Sequence, residues 1–229
     1  MRLQDKVAVI TGGAQGFGEG IAKRFVAEGA RVVVADLNEA GAKNVASRLG
    51  KHAAACRADV TKAADVKAMV GLAMKSFGRL DIVVNNAGTT HVNKPMLEVK
   101  EEEFDRIFAV NVKGIYLAAL EAVPIFRKQG GGVFLNIAST AGLRPRPGLT
   151  VYNSSKGAVN VMTKSMAVEF APDKIRVNSL CPVAGDTPLL ASFLGTNTRE
   201  AFIKTVPLGR LSTPEDIATG AVFLCSDEA

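Results

Sequence analysis

Tyr152 and Lys156 stand four residues apart, and Ser139 lies thirteen residues before the tyrosine. A spacing of four places two side chains on one helical face. A free phenol titrates near pH ~10 and is a poor acid or base at neutral pH. A neighbouring ammonium favours the phenolate and brings it toward working range. A serine hydroxyl beside it can hold a substrate oxygen against the phenol. Taken alone, Tyr-x-x-x-Lys also describes an ordinary helix surface, and Ser139 also reads as a loop cap before Ala141-Gly142. The elements that carry these residues decide between the readings.

Upstream, the run Lys6-Val-Ala-Val-Ile10 is apolar and rich in β-branched residues, as a buried parallel strand is. Thr11-Gly-Gly-Ala-Gln-Gly-Phe-Gly18 follows, and then a helical pattern with Ile21, Ala22, Phe25 and Val26 on one face. The glycines therefore fall on a strand-to-helix turn, where backbone N–H groups and the helix N-terminus can face a pyrophosphate. Their spacing is Gly-x-x-x-Gly-x-Gly rather than the common dinucleotide fingerprint. A second strand, Arg31-Val-Val-Val-Ala35, ends at Asp36. An acid about 20 residues after the glycines accepts from adenine-ribose hydroxyls and repels a 2′-phosphate. Neither Gln15 nor Leu37 supplies a compensating cation, so the pattern favours NAD over NADP. Asp36 also reads as an N-cap for the helix of 38–49, a role compatible with the first.

Together these motifs resemble the short-chain dehydrogenase/reductase superfamily. The match runs through Thr11-Gly-x-x-x-Gly-x-Gly18, Asp59-Val60, Asn85-Asn-Ala-Gly88, Asn111, Ser139, Tyr152-x-x-x-Lys156 and Pro182 to Thr187, in order along nearly the whole chain. The 88–99 segment and Gly209-Arg-Leu-Ser-Thr-Pro-Glu-Asp216 resemble its 3-oxoacyl reductase and alicyclic-alcohol or sugar dehydrogenase group. The resemblance implies a Rossmann-type α/β fold, a doubly wound parallel sheet with helices on both faces. It implies hydride transfer between NAD(H) and a secondary alcohol or ketone. Tyr152 is then the general acid/base, and Lys156 lowers its pKa and binds the nicotinamide ribose. Ser139 orients the substrate oxygen, and Asn111 holds a water that links Lys156 to solvent. The cofactor set is Gly12, Gln15, Gly16, Phe17, Gly18, Asp36, Leu37, Asp59, Val60, Asn86, Ala87, Gly88, Pro182 and Thr187, joined by Tyr152 and Lys156. Asn85 is expected to brace a strand end, and Asn111 alternatively reads as a buried structural amide. Val183 and Gly185 depart from the usual residues after the proline. The chain also stops at Ala229, short of the last strand most members carry. The expectation is a truncated or missing element. The alternatives are an NADPH-dependent 3-oxoacyl-acyl-carrier-protein reductase and a non-catalytic nucleotide-binding scaffold, since fold alone does not define function.

Composition agrees with one globular unit over 1–229: 229 residues, 48% apolar, enough for a sizeable core. Gly, Pro or charge interrupts each apolar run, so no membrane span is expected, and with Met1 close to the first strand pattern no signal peptide is expected either. Cys56, Cys181 and Cys225 read as reduced packing residues of a cytoplasmic protein. The net charge of +6 is dispersed among acids and there is no tryptophan, which argues for a solvated basic surface rather than a nucleic-acid platform. His52 and His91 lack ligand spacing, so no metal is expected.

Strand patterns fall near 6–11, 31–35, 53–57, 81–85, 132–138 and 174–180. Helical patterns fall near 17–28, 39–49, 63–77, 101–128 and 152–171. The alternation predicts right-handed βαβ units with the ligand at the carboxyl ends of the strands. The resemblance implies that the 187–206 segment is the candidate substrate-binding loop, in which Leu189, Leu190, Phe193, Leu194 and Phe202 read equally as pocket or core. The resemblance implies a homodimer or homotetramer, for which the run Ala158-Val-Asn-Val-Met162 with Met166 and Phe170 offers apolar surface; burial on the chain's own sheet is the alternative.

Overall fold

The computed structural model describes residues 1–195 and 198–229. Six strands form one sheet: β1 (Val7–Thr11), β2 (Arg31–Asp36), β3 (Ala53–Arg57), β4 (Ile82–Asn85), β5 (Gly132–Ile137) and β6 (Ile175–Leu180). Their order is β3-β2-β1-β4-β5-β6, and every pairing is parallel. Each strand lies within one residue of its sequence-predicted bounds.

The strands read as continuous apolar runs because both sheet faces are covered. Side chains alternate between faces. Val7, Val9, Val33, Val83 and Phe134 belong to one core with α3 (Ala63–Phe77), α5 (Gly114–Gln129) and α6 (Thr150–Phe170). Ala8, Ile10, Val32, Val34, Ile82, Val84 and Leu135 belong to the other, with α1 (Gly16–Ala27), α2 (Glu39–Leu49) and α9 (Pro214–Cys225). The short helices α4 (Glu101–Phe108), α7 (Leu190–Leu194) and α8 (Arg199–Ile203) lie in the connections. Phe126 of α5 meets Phe134 of β5 edge-on at 5.2 Å, with both rings fully buried. Removing either ring would cost about 3–5 kcal/mol.

Three expectations need correction. The 101–128 helix is interrupted: a π turn, Ala109–Lys113, separates α4 from α5 and carries Asn111. The continuous stretch Glu101–Gln129 is long and apolar enough, by length and composition, to cross a membrane, against the reading that every such run is broken; half of its most apolar window is buried inside the molecule. Finally, α9 did not stand out as a periodic segment. Pro214 occupies its first turn, Thr213 and Asp216 cap each other's backbone, and Gly20 of α1 lets Pro214 pack closely, since a Cβ there would lie 2.6 Å from the proline Cβ.

On α6 the predicted apolar surface is divided. Val159 and Met166 are buried, and Met162 and Phe170 pack against the same core. Val161 and Val168 remain exposed, as do Tyr116 and Leu120 of α5.

Candidate active site

The carboxyl ends of β1, β2, β4, β5 and β6 share one edge of the sheet, set by the parallel register. The strand order reverses between β1 and β4, which opens a crevice there. The glycine turn crosses its floor. Gly12 and Gly16 have φ +62° and +57°, values that favour glycine. A Cβ on Gly12 would approach Ala87 Cα to 2.9 Å, and one on Gly18 would overlap the Gly12 carbonyl. The first turn of α1 begins at Gln15, whose side chain makes no cap, so its leading N–H groups are open toward the crevice.

β4 holds this turn in place. Asn86 Nδ2 donates to the carbonyls of Thr11 (2.9 Å) and Gly12 (3.0 Å), while Thr11 Oγ1 accepts from the N–H groups of Asn86 and Ala87. Asn85 points away and donates to Asn136 Oδ1, and Asn136 donates to Thr163 Oγ1 on α6. Asn85 is therefore a brace, as expected. Asp36 accepts from the Ala14 N–H (3.0 Å) and the Asn38 N–H (2.9 Å), tying the β2 end to the glycine turn. It is not the N-cap of α2; Asn38 is, accepting from Gly41 N. Asp59 accepts from both the N–H and the hydroxyl of Thr61.

Tyr152 and Lys156 stand on the first turns of α6, both buried. Lys156 Nζ donates to the Ile137 carbonyl at 2.7 Å and lies 5.9 Å from the Tyr152 ring centroid. Burial lowers its pKa to about 8. Burial pushes the Tyr152 phenol up to about 12, opposed by its hydrogen bond with Ser139. The expected lowering of the phenol by Lys156 is thus not expressed in this arrangement: the desolvation of both groups dominates. Ser139 does two things, since its Oγ also accepts from Ala141 N at 3.1 Å and caps the short turn Thr140–Gly142. Asn111 is held from three directions. Its Oδ1 accepts from Thr89 N, and its Nδ2 donates to Thr89 O and Ser155 Oγ. Gly88 keeps the space beside it open, with both Asn111 Oδ1 and Lys156 Nζ 3.6 Å from where a Cβ would stand.

A cavity of ≈430 Å³ joins these groups. Gly12, Gln15, Gly16, Phe17, Asp36, Leu37, Asp59, Val60, Asn86, Ala87, Gly88, Ser139, Tyr152, Lys156, Pro182 and Thr187 all line it. Of the sequence-predicted site residues, Gly18 and Asn111 do not; they act behind the wall, one by close packing and one by hydrogen bonds. Leu189, Phe193 and Phe202 of the 187–206 segment line the cavity, whereas Leu190 is buried. Gly185, the departure noted after Pro182, lies close to the tip of the Phe17 ring, where a Cβ would collide with Cζ. Sequence reading passed over Arg106, Thr89, Leu149 and Arg146. For Arg146 a signal existed: a cation between Pro145 and Pro147, in the loop from Ser139 to Tyr152. The cradle suits an elongated dinucleotide. Uncapped helix N–H groups sit at the glycine turn, a carboxylate lies at the β2 end, and the serine–tyrosine–lysine cluster lies at the far end. Among the described residues no cluster of side chains suits a metal ion.

The fold and this site define a dinucleotide-binding α/β oxidoreductase. A family model described as enoyl-(acyl carrier protein) reductase matches residues 12–229. The chain is 49% identical over 236 residues to the 4-formylbenzenesulfonate dehydrogenase of Comamonas testosteroni, covering 100% of this chain and 94% of that protein. It is 40% identical over 231 residues to a 2,5-dichloro-2,5-cyclohexadiene-1,4-diol dehydrogenase of Sphingobium indicum, covering 100% and 92%. The crystal structure of a 3-ketoacyl-(acyl-carrier-protein) reductase from Brucella melitensis complexed with NADH superposes with TM-score 0.95 at 49% identity, covering 99% of this chain and 93% of that one. The chain belongs to the short-chain dehydrogenase/reductase superfamily.

Proposed function

We propose that residues 1–229 form one NAD(H)-dependent unit that interconverts a secondary alcohol and its carbonyl compound, with Tyr152 as general acid/base. The observation that carries this reading is the meeting of Ser139 and Tyr152 in the cavity that also holds the glycine turn and Lys156. A bound nicotinamide supplies or accepts the hydride. Ser139 holds the substrate oxygen and stabilises charge on it. Tyr152, protonated at neutral pH, is set to donate from Oη to a carbonyl oxygen. In the reverse direction it takes the alcohol proton, and a charged Lys156 then offsets the phenolate while its ammonium binds the ribose. Asn111 Oδ1 retains one acceptor site beside Gly88, which suits a water linking Lys156 to solvent. Residues 187–195 and 198–206 of the candidate substrate-binding loop close the substrate side; positions 196 and 197 lie outside the described residues. A cytoplasmic location and a homodimer or homotetramer built on the exposed faces of α5 and α6 belong to the same proposal.

The relatives' names, a formyl compound and a diol, support a carbonyl or alcohol carbon as the reacting centre. Reduction of a 3-oxoacyl thioester is a second reading, supported by the solved neighbour's name. That neighbour is complexed with NADH, so an NAD-type site does not argue against it. For cofactor choice, Asp36 supports NAD, because its carboxylate is fixed in the cavity wall where a 2′-phosphate would be repelled. The test is a panel of alcohols, ketones and a 3-oxoacyl thioester followed at the nicotinamide absorbance with both cofactors. NAD(H) should bind more tightly, and Asp36→Ala with Leu37→Arg should shift preference toward NADP(H). Equal or tighter NADPH binding by the parent protein refutes the cofactor assignment, and no turnover with any substrate favours a nucleotide-binding scaffold.

A further inference from the structure

Arg146 lines the cavity together with Ser139, Tyr152, Leu149, Phe193 and Phe202. Its Cζ lies 4.4 Å from the Phe202 ring centroid. Phe193 in turn meets the Tyr152 ring edge-on at 5.0 Å. The backbone around Arg146 is fixed from three sides. Pro145 and Pro147 flank it, Asn153 Nδ2 donates to its carbonyl at 2.8 Å, and Asn93 Nδ2 donates to the Pro147 carbonyl at 3.0 Å. Asn153 directly follows Tyr152, so the same turn of α6 places the phenol and the arginine.

The guanidinium itself is left open to solvent rather than paired within the protein. Half-buried, it has no carboxylate within ion-pair reach and no side-chain hydrogen bond among the described residues. The contrast with its neighbours is sharp. Arg106, also in the wall, donates to Thr89 Oγ1 and Thr90 O, and Arg199 pairs with Asp186. Partial desolvation favours loss of charge on Arg146, yet a guanidinium stays protonated. Five donors held in a planar fork, with a ring on one face, fit a carboxylate or sulfonate that takes two parallel N–H bonds.

We propose that Arg146 anchors an oxyanion on the substrate, so that the enzyme acts on a carbonyl compound or alcohol whose apolar, flat body carries a carboxylate or sulfonate remote from the reacting carbon. This rests on the oxidoreductase reading above. The reacting oxygen sits at Ser139 and Tyr152, the body lies against Phe193, Phe202 and Leu149, and the anion meets Arg146. The carboxylate and the sulfonate share one chemistry here, and the assay separates them.

With the full chain and NADH, the substrates to compare are acetophenone, 4-acetylbenzoate and 4-acetylbenzenesulfonate. One charge-assisted contact should favour the better of the two anionic ketones by about 10- to 100-fold in kcat/KM. Arg146→Met should abolish that ratio, Arg146→Lys should keep part of it, and Arg146→Glu should invert it. No preference for either anion in the parent protein, or an unchanged ratio in Arg146→Met, overturns the proposal. Benzoate and benzamide, titrated by calorimetry onto the protein with NADH, give a readout that needs no turnover. Benzoate should bind more tightly, and Arg146→Met should remove the difference. Should that difference appear while no ketone turns over, the anion site stands and the proposed reaction falls. Weakened NADH binding in Arg146→Met, with the benzoate preference intact, would make Arg146 a cofactor contact and overturn the proposal.

Discussion

The two ends of the cavity are built in different ways. At the dinucleotide end, strand register does the positioning. The β1 and β4 ends are locked by Asn86 and Thr11, and the β2 end is locked to the glycine turn through Asp36. Nearly every contact is backbone-centred and lies on elements packed on both faces. At the substrate end, three connections converge: the 91–95 stretch, the 143–149 loop and the segment from Thr187 onward. They are tied by a few bonds, Asn93 N to Ser192 O, Lys94 N to Gly148 O, and Asn93 Nδ2 to Pro147 O. The difference shows how one scaffold can hold a constant cofactor and let its substrate vary, because the loops can change without disturbing the register.

The sharpest way to separate the two ends is at their junction. Tyr152→Phe removes one oxygen from a buried ring that also packs on Phe193. Turnover of a genuine substrate should fall by at least ~10². NADH binding should persist, because the glycine turn and Asp36 do not depend on the phenol. Stopped-flow turnover with a parallel fluorescence titration of NADH measures both. Near-normal kcat would remove Tyr152 from the proton transfer and with it the division of labour described here.

The next effect concerns stability and pH. Lys156 titrates near about 8 in the folded chain, against ~10.4 when unfolded. Between those values the unfolded chain binds the extra proton, so stability rises with pH across that window and is depressed below it. A shift of that size corresponds to roughly 3 kcal/mol. Tyr152, raised to about 12, has the opposite sign in a separate window. It stabilises the fold below pH ~10 and loses that contribution as pH rises toward 12. Lys156→Met should therefore gain stability relative to the parent at pH 7, and the gap should narrow by pH 10. Urea unfolding at both values measures it. A gap independent of pH would show that Lys156 is as charged in the folded chain as in the unfolded one.

The same contrast decided what could be read from sequence. Runs such as Val32-Val-Val34 announce strands buried on both faces, and Asp36 and the glycines sit at their ends by simple counting. Asn111 could be placed on a helix but not in a π turn, because the five residues of Ala109–Lys113 are too few for a different period to show in the apolar pattern. The capping box of α9 was visible in Thr213-Pro-Glu-Asp216, yet the helix behind it is apolar nearly all round and so lacks a clear stripe. Arg146 was only half legible. The Pro145-Arg146-Pro147 run marked a cation in a stiff loop near Tyr152, but the ring it stacks on lies fifty-six residues away and leaves no local trace. The pKa of Tyr152 was misjudged because sequence displays the neighbouring lysine but not the burial that outweighs it.

The smallest expected effect tests whether the substrate end moves. Helices α7 and α8 have five residues each, too short to be stable without tertiary support. Among the described residues their support includes the buried Leu190, the Asn93 N to Ser192 O bond, Phe193 against Tyr152, Phe202 against Arg146, and the Asp186–Arg199 ion pair, which is exposed and therefore weak. Such a segment should open locally at far lower free energy than the sheet. Hydrogen exchange of 187–206 should therefore be fast in the free protein and slow when NADH and an anionic ketone are added together, while β1 and β4 change little. The slowing should be greater with both ligands than with NADH alone, because Phe193 and Phe202 face the substrate rather than the glycine turn. Equal protection in all three states would mean that the segment is already closed, and would make Phe193 and Phe202 part of a rigid core instead of a cover that the substrate completes.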